Sequence, residues 1–469
     1  MPTAFHQFGT AVAISGDVAL VGAPLDDDNG DDAGAAYVFE RSGGGWSQVT
    51  KLTASDGAAL DLFGDAVALS GNRAVIGAWR ARHNDIASGV AYVFERSAGG
   101  WSEVAKLAPS DGAGADGFGR AVALSDDRAL VGAPDDDDDG ESSGSADVFD
   151  GAAGWAQVAK LTASDAAAED LFGRTIAISG AWALVGAPLD DDGGERSGSA
   201  YVFEYSGSDW SEAAKLTASD AAAFVFFGLP AALNGDRALV GAQGAGTAGA
   251  AYVFERSGIV WSETAQLTPS DATAFASFGL AVALSGERVL VGAPLDGGDG
   301  AGSAFVFENS GSGWSEVAKL TASDGAADDR FGSAVALGGD WALVGANQDD
   351  DHGDESGSAY VFELLPDPDT DGDGSHRRRG GRARHGSLRP GYRRRRDRGL
   401  RRSRRARRRA GRPPGCRVHG RERRPSHGHA VDPQPRRGSD HTRRRCPGGP
   451  LTPEPAASRG WLRDSRGHQ

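Results

Sequence analysis

Five short stretches crowd carboxylates beside glycine: LDDDNGDD at 25–32, DDDDDGES at 135–142, LDDDGGER at 189–196, LDGGDG at 295–300 and QDDDHGDE at 348–355. Oxygens on alternate residues can converge on one point, and a following Gly makes the bend that turns the chain back. That is hard-cation chemistry, and Ca²⁺ is the natural partner. The candidate ligands are Asp26, Asp28, Asp135, Asp137, Asp139, Asp190, Asp192, Asp296, Asp349 and Asp351. A further run, DPDTDGDG at 367–374, adds Asp369, Asp371 and Asp373. The bidentate acid that would complete such a loop has no clear place. Carboxylates crowded in this way repel one another and are expected to titrate above their usual range.

Two stretches at corresponding places lack the acids. One reads WRARHND and offers Trp79, Arg80, Arg82 and His83 as candidates for a ligand-facing surface, with ion pairing to neighbouring acid runs as the plainer role. The other, QGAGTAGA, is preceded by FVFFG, where Phe224 and Phe226 are candidates for an apolar contact patch, with simple packing as the plainer role. No nucleophile, base and orienting group recur at a spacing that reads as catalytic. A binding or adhesion role is therefore expected, with a hydrolase or lyase site at a central channel as the alternative.

The elements that must carry these stretches repeat. Phe-Gly recurs at Gly9, Gly64, Gly119, Gly173, Gly228, Gly279 and Gly332, at steps of 55, 55, 54, 55, 51 and 53 residues. Each unit parses into four strands. AVALS alternates with a period of two and turns tightly at glycines such as Gly16 and Gly71. RALVGA, AYVFE and WSEVAKL follow, the last mixing Trp and Leu with charge that suits an outer edge. Four strands in about fifty residues, seven times over, predict a seven-bladed β-propeller. In such a blade the loops after strands 2 and 4 leave on the same face, so the acid runs gather at one end of a disc. Trp46, Trp101, Trp155, Trp210, Trp261 and Trp314 are expected to pack between blades.

The FG…VGAP pattern with a later YVF resembles the FG-GAP repeats that build the propeller of integrin α-subunits, and resembles still more the bacterial FG-GAP proteins. The resemblance spans residues 8–363. The Gly-Ala-Pro triplet is intact at Gly22, Gly132, Gly186 and Gly292 and drifts to GAW, GAQ and GAN elsewhere. The integrin calcium loop lies between Phe-Gly and Gly-Ala-Pro. Here that interval holds only a tight turn, so the family's calcium site does not transfer.

Charge divides the chain. Residues 1–374 hold 18 Lys and Arg against 59 Asp and Glu, a net −41; residues 375–469 hold 31 Arg against 6 acids, a net +25. Three regions are expected: propeller repeats at 1–363, an Asp-rich linker at 364–374 resembling a thrombospondin-type-3 calcium loop, and a disordered Arg-rich tail at 375–469. Asp-Gly codons (GAC-GGC) shifted by two bases read as arginine, so the tail is read as a frameshift near Ser375. A genuine tail would instead bind polyanions such as nucleic acid. Both cysteines, Cys416 and Cys446, lie in it. No apolar run reaches the ~18 residues of a membrane helix. Seven Phe-Gly hairpins meet only six Trp strands, so one blade is expected to be incomplete, its fourth strand lying upstream of Met1 with the missing export signal. The expected protein is an extracellular or surface-bound monomer that takes a protein or glycan ligand on its acidic face.

Overall fold

The computed structural model describes residues 5–364 and 384–388, all within the unit Met1–Arg394. The regular structure is β throughout, apart from one 3-10 turn at Gly151–Ala153. Seven four-stranded antiparallel sheets follow one another. In the first, β1 is Val12–Ser15, β2 is Val18–Ala23, β3 is Ala35–Ser42 and β4 is Gly45–Leu52. Between β3 and β4 the register shifts at Val38/Phe39, a bulge that five other sheets repeat at the same place. The tight turns hold as expected, with Gly16 and Gly71 at φ 59° and 56°.

The core is not central. It forms seven wedges, each made by two neighbouring sheets. The middle strands read as continuous apolar runs because both faces are covered. β2 is buried at every position. Each Phe of Phe-Gly packs on the aromatics of its own third strand. In six blades these are a pair, as Phe63 lies tilted against Tyr92 and edge-on to Phe94, and in the third Phe118 meets Phe149 alone.

The recurring glycines are explained by contact between blades. A Cβ on Gly22 would lie 1.9 Å from the carbonyl oxygen of Gly64 in the next blade. Gly64 itself has φ +96°, a backbone that side chains disfavour. Phe-Gly and Gly-Ala are thus two halves of one seam, where backbone meets backbone. The seam closes the ring, for Gly345 of the seventh blade meets Gly9 of the first in the same way.

One expectation is corrected here. The seventh sheet has its fourth strand, Arg384–Leu388, paired with Ser358–Glu363. In this chain the blade is four-stranded rather than three-stranded, and a strand lies inside the segment expected to be disordered. The exposed edge of Ser358–Glu363 accepts any extended segment that can reach it. Leu388 pairs with Ala359 and is buried, as Leu52 is opposite Ala36. The register bulge is absent from this pair. The sequence gap is explained by the lack of a Trp in this strand, which a search for the WSEVAKL pattern passes over.

Candidate functional site

The acid runs do share one end of the ring. The loop after strand 2 and the connection after strand 4 are tied together there by backbone bonds. Leu60 N–H donates to Asp31 O at 2.8 Å, and Glu169, Phe224 and Phe275 repeat the bond to the corresponding loops. Residues at this slot, among them Leu60, Ala115, Phe224 and Phe275, hold positive φ.

Within each acid run one carboxylate turns inward. Asp26 is 1% exposed. It accepts from the Tyr37 hydroxyl at 2.6 Å, from Lys51 Nζ at 2.6 Å and from the Asp28 N–H at 3.1 Å. Lys51 also reaches Asp28 at 2.8 Å. In the fourth blade Lys215 contacts Asp165, Asp190 and Asp192 at 2.7, 2.8 and 2.6 Å, and Tyr201 donates to both Asp165 and Asp190. Lys160 likewise joins Asp111, Asp136 and Asp138, and Lys319 joins Asp271 and Asp296. The lysine lies on the fourth strand, opposite a third-strand aromatic in three of these blades and opposite Asp147 in the third blade.

Electrostatics follow the lysine. Burial would raise Asp26 and Asp136, but lysine together with the hydroxyl of Tyr37 or Ser145 and a backbone N–H outweighs it and holds both below the usual carboxylate range. The same balance brings Asp296 down to about 2. Burial would lower Lys160 and Lys215, yet their carboxylates push both up. The expected upward shift appears elsewhere, where no lysine bonds. Asp116, Asp170 and Asp329 cap the turn before Phe-Gly through one backbone N–H each. Burial, aided by neighbouring loop carboxylates, raises all three to about 6.

The calcium candidates divide accordingly. Asp26, Asp190, Asp296 and Asp349 are the inward acids, while Asp28, Asp192 and Asp351 lie outside them. In the third blade the buried acid is Asp136, and Asp138 joins it on Lys160. Asp137 and Asp139 are exposed, and Asp135 occupies the place of Leu25, one residue early. An unbroken Asp run carries no phase, which is why alternation picked the wrong set. Asp369, Asp371 and Asp373 lie outside the described residues. Among the described residues no three His, Cys, Asp or Glu side chains form a group that could hold a metal. An ammonium stands between the acids in four blades, so their donor sets fit lysine rather than an ion that takes six to eight oxygens.

Three blades depart from this plan. In the second, Ala81 replaces the inward acid, and Lys106 bonds Asp56 at 2.7 Å. The expected ion pairs from this loop to its acidic neighbours are not made by Arg80 or Arg82 among the described residues. Arg82 donates to the Asp85 carbonyl, and Arg80 lies 4.5 Å from the Trp79 ring centroid. His83 exchanges backbone bonds with Ile86. In the fifth, Ala245 and Gln266 replace acid and lysine together. In the seventh, Ser387 stands opposite Tyr360 where lysine would be. Phe224 is exposed, and its ring lies tilted beside Phe226 with centroids 6.5 Å apart. Sequence reasoning missed Phe275, which is 82% exposed at the slot of Phe224 in the next blade. The signal was present, since TAFASFG aligns with AAFVFFG.

The residue after each Phe-Gly was also missed. These seven are Thr10, Asp65, Arg120, Arg174, Leu229, Leu280 and Ser333, all partly exposed. They enter the innermost strands, which contact one another around the whole ring, so they surround the channel mouth on the acid face.

With the site in view, comparison with known proteins is direct. The family described as FG-GAP repeat matches at residues 3–39, 46–94, 101–149, 155–203, 210–254, 261–307 and 314–362. Most matched segments start on a fourth strand and end on the next blade's third. No curated protein matches the chain.

Proposed function

The chain belongs to the FG-GAP repeat family, and from that premise we propose that it is a non-enzymatic binding module, acting outside the cell or at its surface as a monomer. Its ligand is a protein or glycan taken on the face that carries the acid loops. One observation carries this reading. Six seams and their closure repeat almost without change, while the loops of the second and fifth blades break the pattern on that one face. Structural need explains repetition, and it does not explain Trp79 and Arg80 standing where other blades carry Pro, Leu, Gly, Asp or an amide, or the exposed Phe224 and Phe275, whose slot elsewhere holds Leu, Ala, Glu or Asp and, in the first blade, the exposed Phe5. Calcium is not assigned to the four lysine-bearing loops, because lysine does there what a cation would do.

Among the described residues no helix is long and apolar enough to cross a membrane. The alternative, a hydrolase or lyase at the channel, would draw on Asp65, the single acid in the ring of seven residues. The test is surface plasmon resonance of the full chain over a panel of polysaccharides and extracellular proteins. Binding should be lost in F224A/F275A and kept in I259S, whose side chain is 81% exposed on the opposite face. Equal loss in both, or product release from a panel member, would overturn the reading.

A further inference from the structure

The channel mouth is uneven in charge. Around the ring, the second, third and fourth blades place Asp65, Arg120 and Arg174, while the fifth and sixth place Leu229 and Leu280. Trp79 leans toward this group. Burial raises the Asp65 carboxyl, against lowering by Arg120, Arg174, Arg80 and the Trp79 indole around it. The guanidinium carbons of Arg80 and Arg120 lie 4.5 and 4.4 Å from its ring centroid, close enough for cation–π attraction. Trp79 and Arg80 also wall a cavity of about 460 Å³ that runs toward Leu60, Arg82, Tyr92 and Lys106.

These guanidiniums are poorly paired. Among the described residues, neither Arg120 nor Arg174 makes an ion pair or a side-chain hydrogen bond, although lysines on the same face each bind one to three carboxylates. Burial lowers Arg174, and the Arg120 charge lowers it further, against smaller opposing effects of Asp65 and Asp135. Two like charges held together without a bonded counter-ion are unfavourable for folding alone. Arg at this slot is not required by the fold, since other blades carry Thr, Ser or Leu there.

We propose that the channel mouth at blades two to four binds an oxyanion, a carboxylate or sulfate, with Arg120 and Arg174 as its donors and Trp79 as the wall against which the rest of the ligand packs. Guanidinium forks match planar oxyanions with paired hydrogen bonds. The surrounding acid loops repel anions in general, so only a ligand with its charge at the channel axis is accepted. Asp65 is the internal anion that balances the site when it is empty. This assignment rests on the ligand being taken at the loop face, and it names the chemistry of that ligand.

The test is isothermal titration of the full chain with sodium glucuronate, sodium sulfate and glucose at constant ionic strength. R120S/R174L uses residues that other blades carry at the slot, and thermal melting checks that it folds. The arginine-rich segment is common to every variant, so differences report the channel mouth. Glucuronate, sulfate or both should bind wild type and weaken by about tenfold or more in R120S/R174L. D65T should tighten them. Preference for glucuronate would mark a carboxylate borne on a sugar, and preference for sulfate a free oxyanion. Absence of binding, equal affinity across the variants, or glucose binding as well as glucuronate would overturn the proposal. If a panel ligand is lost in F224A/F275A but unaffected by R120S/R174L, the loop-face reading stands and this site falls. If glucuronate binds while the panel is silent, the reverse holds.

Discussion

The fourth and fifth blades have nearly the same strands, WALVGA beside RALVGA and SAYVFEY beside AAYVFERS. Their loop faces are unlike. In the fourth, Lys215 sits among three carboxylates and Tyr201 closes the group. In the fifth, Gln266 bonds Asp220 and the Tyr252 hydroxyl, each at 3.0 Å, and Ala245 fills the inward position. Acid and lysine have gone together. A buried carboxylate without its cation is worse than a small apolar side chain, so one loss favours the other. The second blade is an intermediate, with lysine kept by Asp56 and the Arg82 carbonyl. The strand framework is therefore indifferent to what its loops carry, and in the seventh blade the buried Asp349 is held by the Tyr360 hydroxyl and the Asp351 N–H with Ser387 at the lysine position.

Breaking that comparison should give the largest effect. Lys215→Gln alone copies half of the fifth blade and strands Asp190, at a cost of about 3 kcal/mol. Adding Asp190→Ala completes the copy and should recover at least ~1 kcal/mol. Calorimetric unfolding of the two variants measures both; a double mutant no better than K215Q would show that the pair is not coupled.

The third blade offers a second break. Asp147 stands where its counterparts have Tyr or Phe, and it is buried with Oδ2 unbonded, while Gln157 donates to Oδ1 at 2.5 Å. Burial raises it to about 7. The folded state then holds a proton that the unfolded state releases near pH 4, so stability from this group is full below that point and is lost as pH rises through about 7. Asp147→Tyr should stabilise by on the order of a few kcal/mol at pH 8, with the gain fading toward pH 4. A gain that is independent of pH would point to packing rather than charge.

The whole protein should show the same sign. With Asp116, Asp170 and Asp329 raised to about 6, melting temperature should rise as pH falls from 8 to 5. Below their unfolded value, the depressed carboxylates act oppositely. The stability from Asp296, at about 2, and from Asp26 and Asp136 is present above the unfolded pKa and is lost as pH falls. A melting temperature that rises steadily into acid would contradict the lysine groups described above.

Calcium sharpens the comparison last. Neither calcium nor a chelator should move the melting temperature through the lysine-bearing loops. In Lys215→Ala, Asp165, Asp190 and Asp192 lose their ammonium, and calcium should restore about 1 kcal/mol. Differential scanning fluorimetry reads both, and a calcium shift of equal size in wild type and variant would place the ion elsewhere.

Much of this was legible in the sequence. The seven-fold step, the alternation and the Gly turns predict the ring because each unit writes its own local pattern. Four of the five inward acids were among the candidates, and the miss at Asp136 came from a run without phase. Arg120, Arg174 and Asp65 escaped because each looks like noise at a drifting position. They become a group only when three blades bring them to one channel mouth.

The sequence by itself determined the number of blades, the order of strands and the face on which the acids gather, because alternation and turn chemistry act between near neighbours. Only the tertiary structure decided what the acids meet. Lys215 is 25 residues from Asp190 and 50 from Asp165, and strand register alone sets it between them. Pairing across the open edge of Ser358–Glu363 likewise decided that Arg384–Leu388 completes the last blade, since an unpaired backbone edge selects by reach and hydrogen bonding rather than by motif.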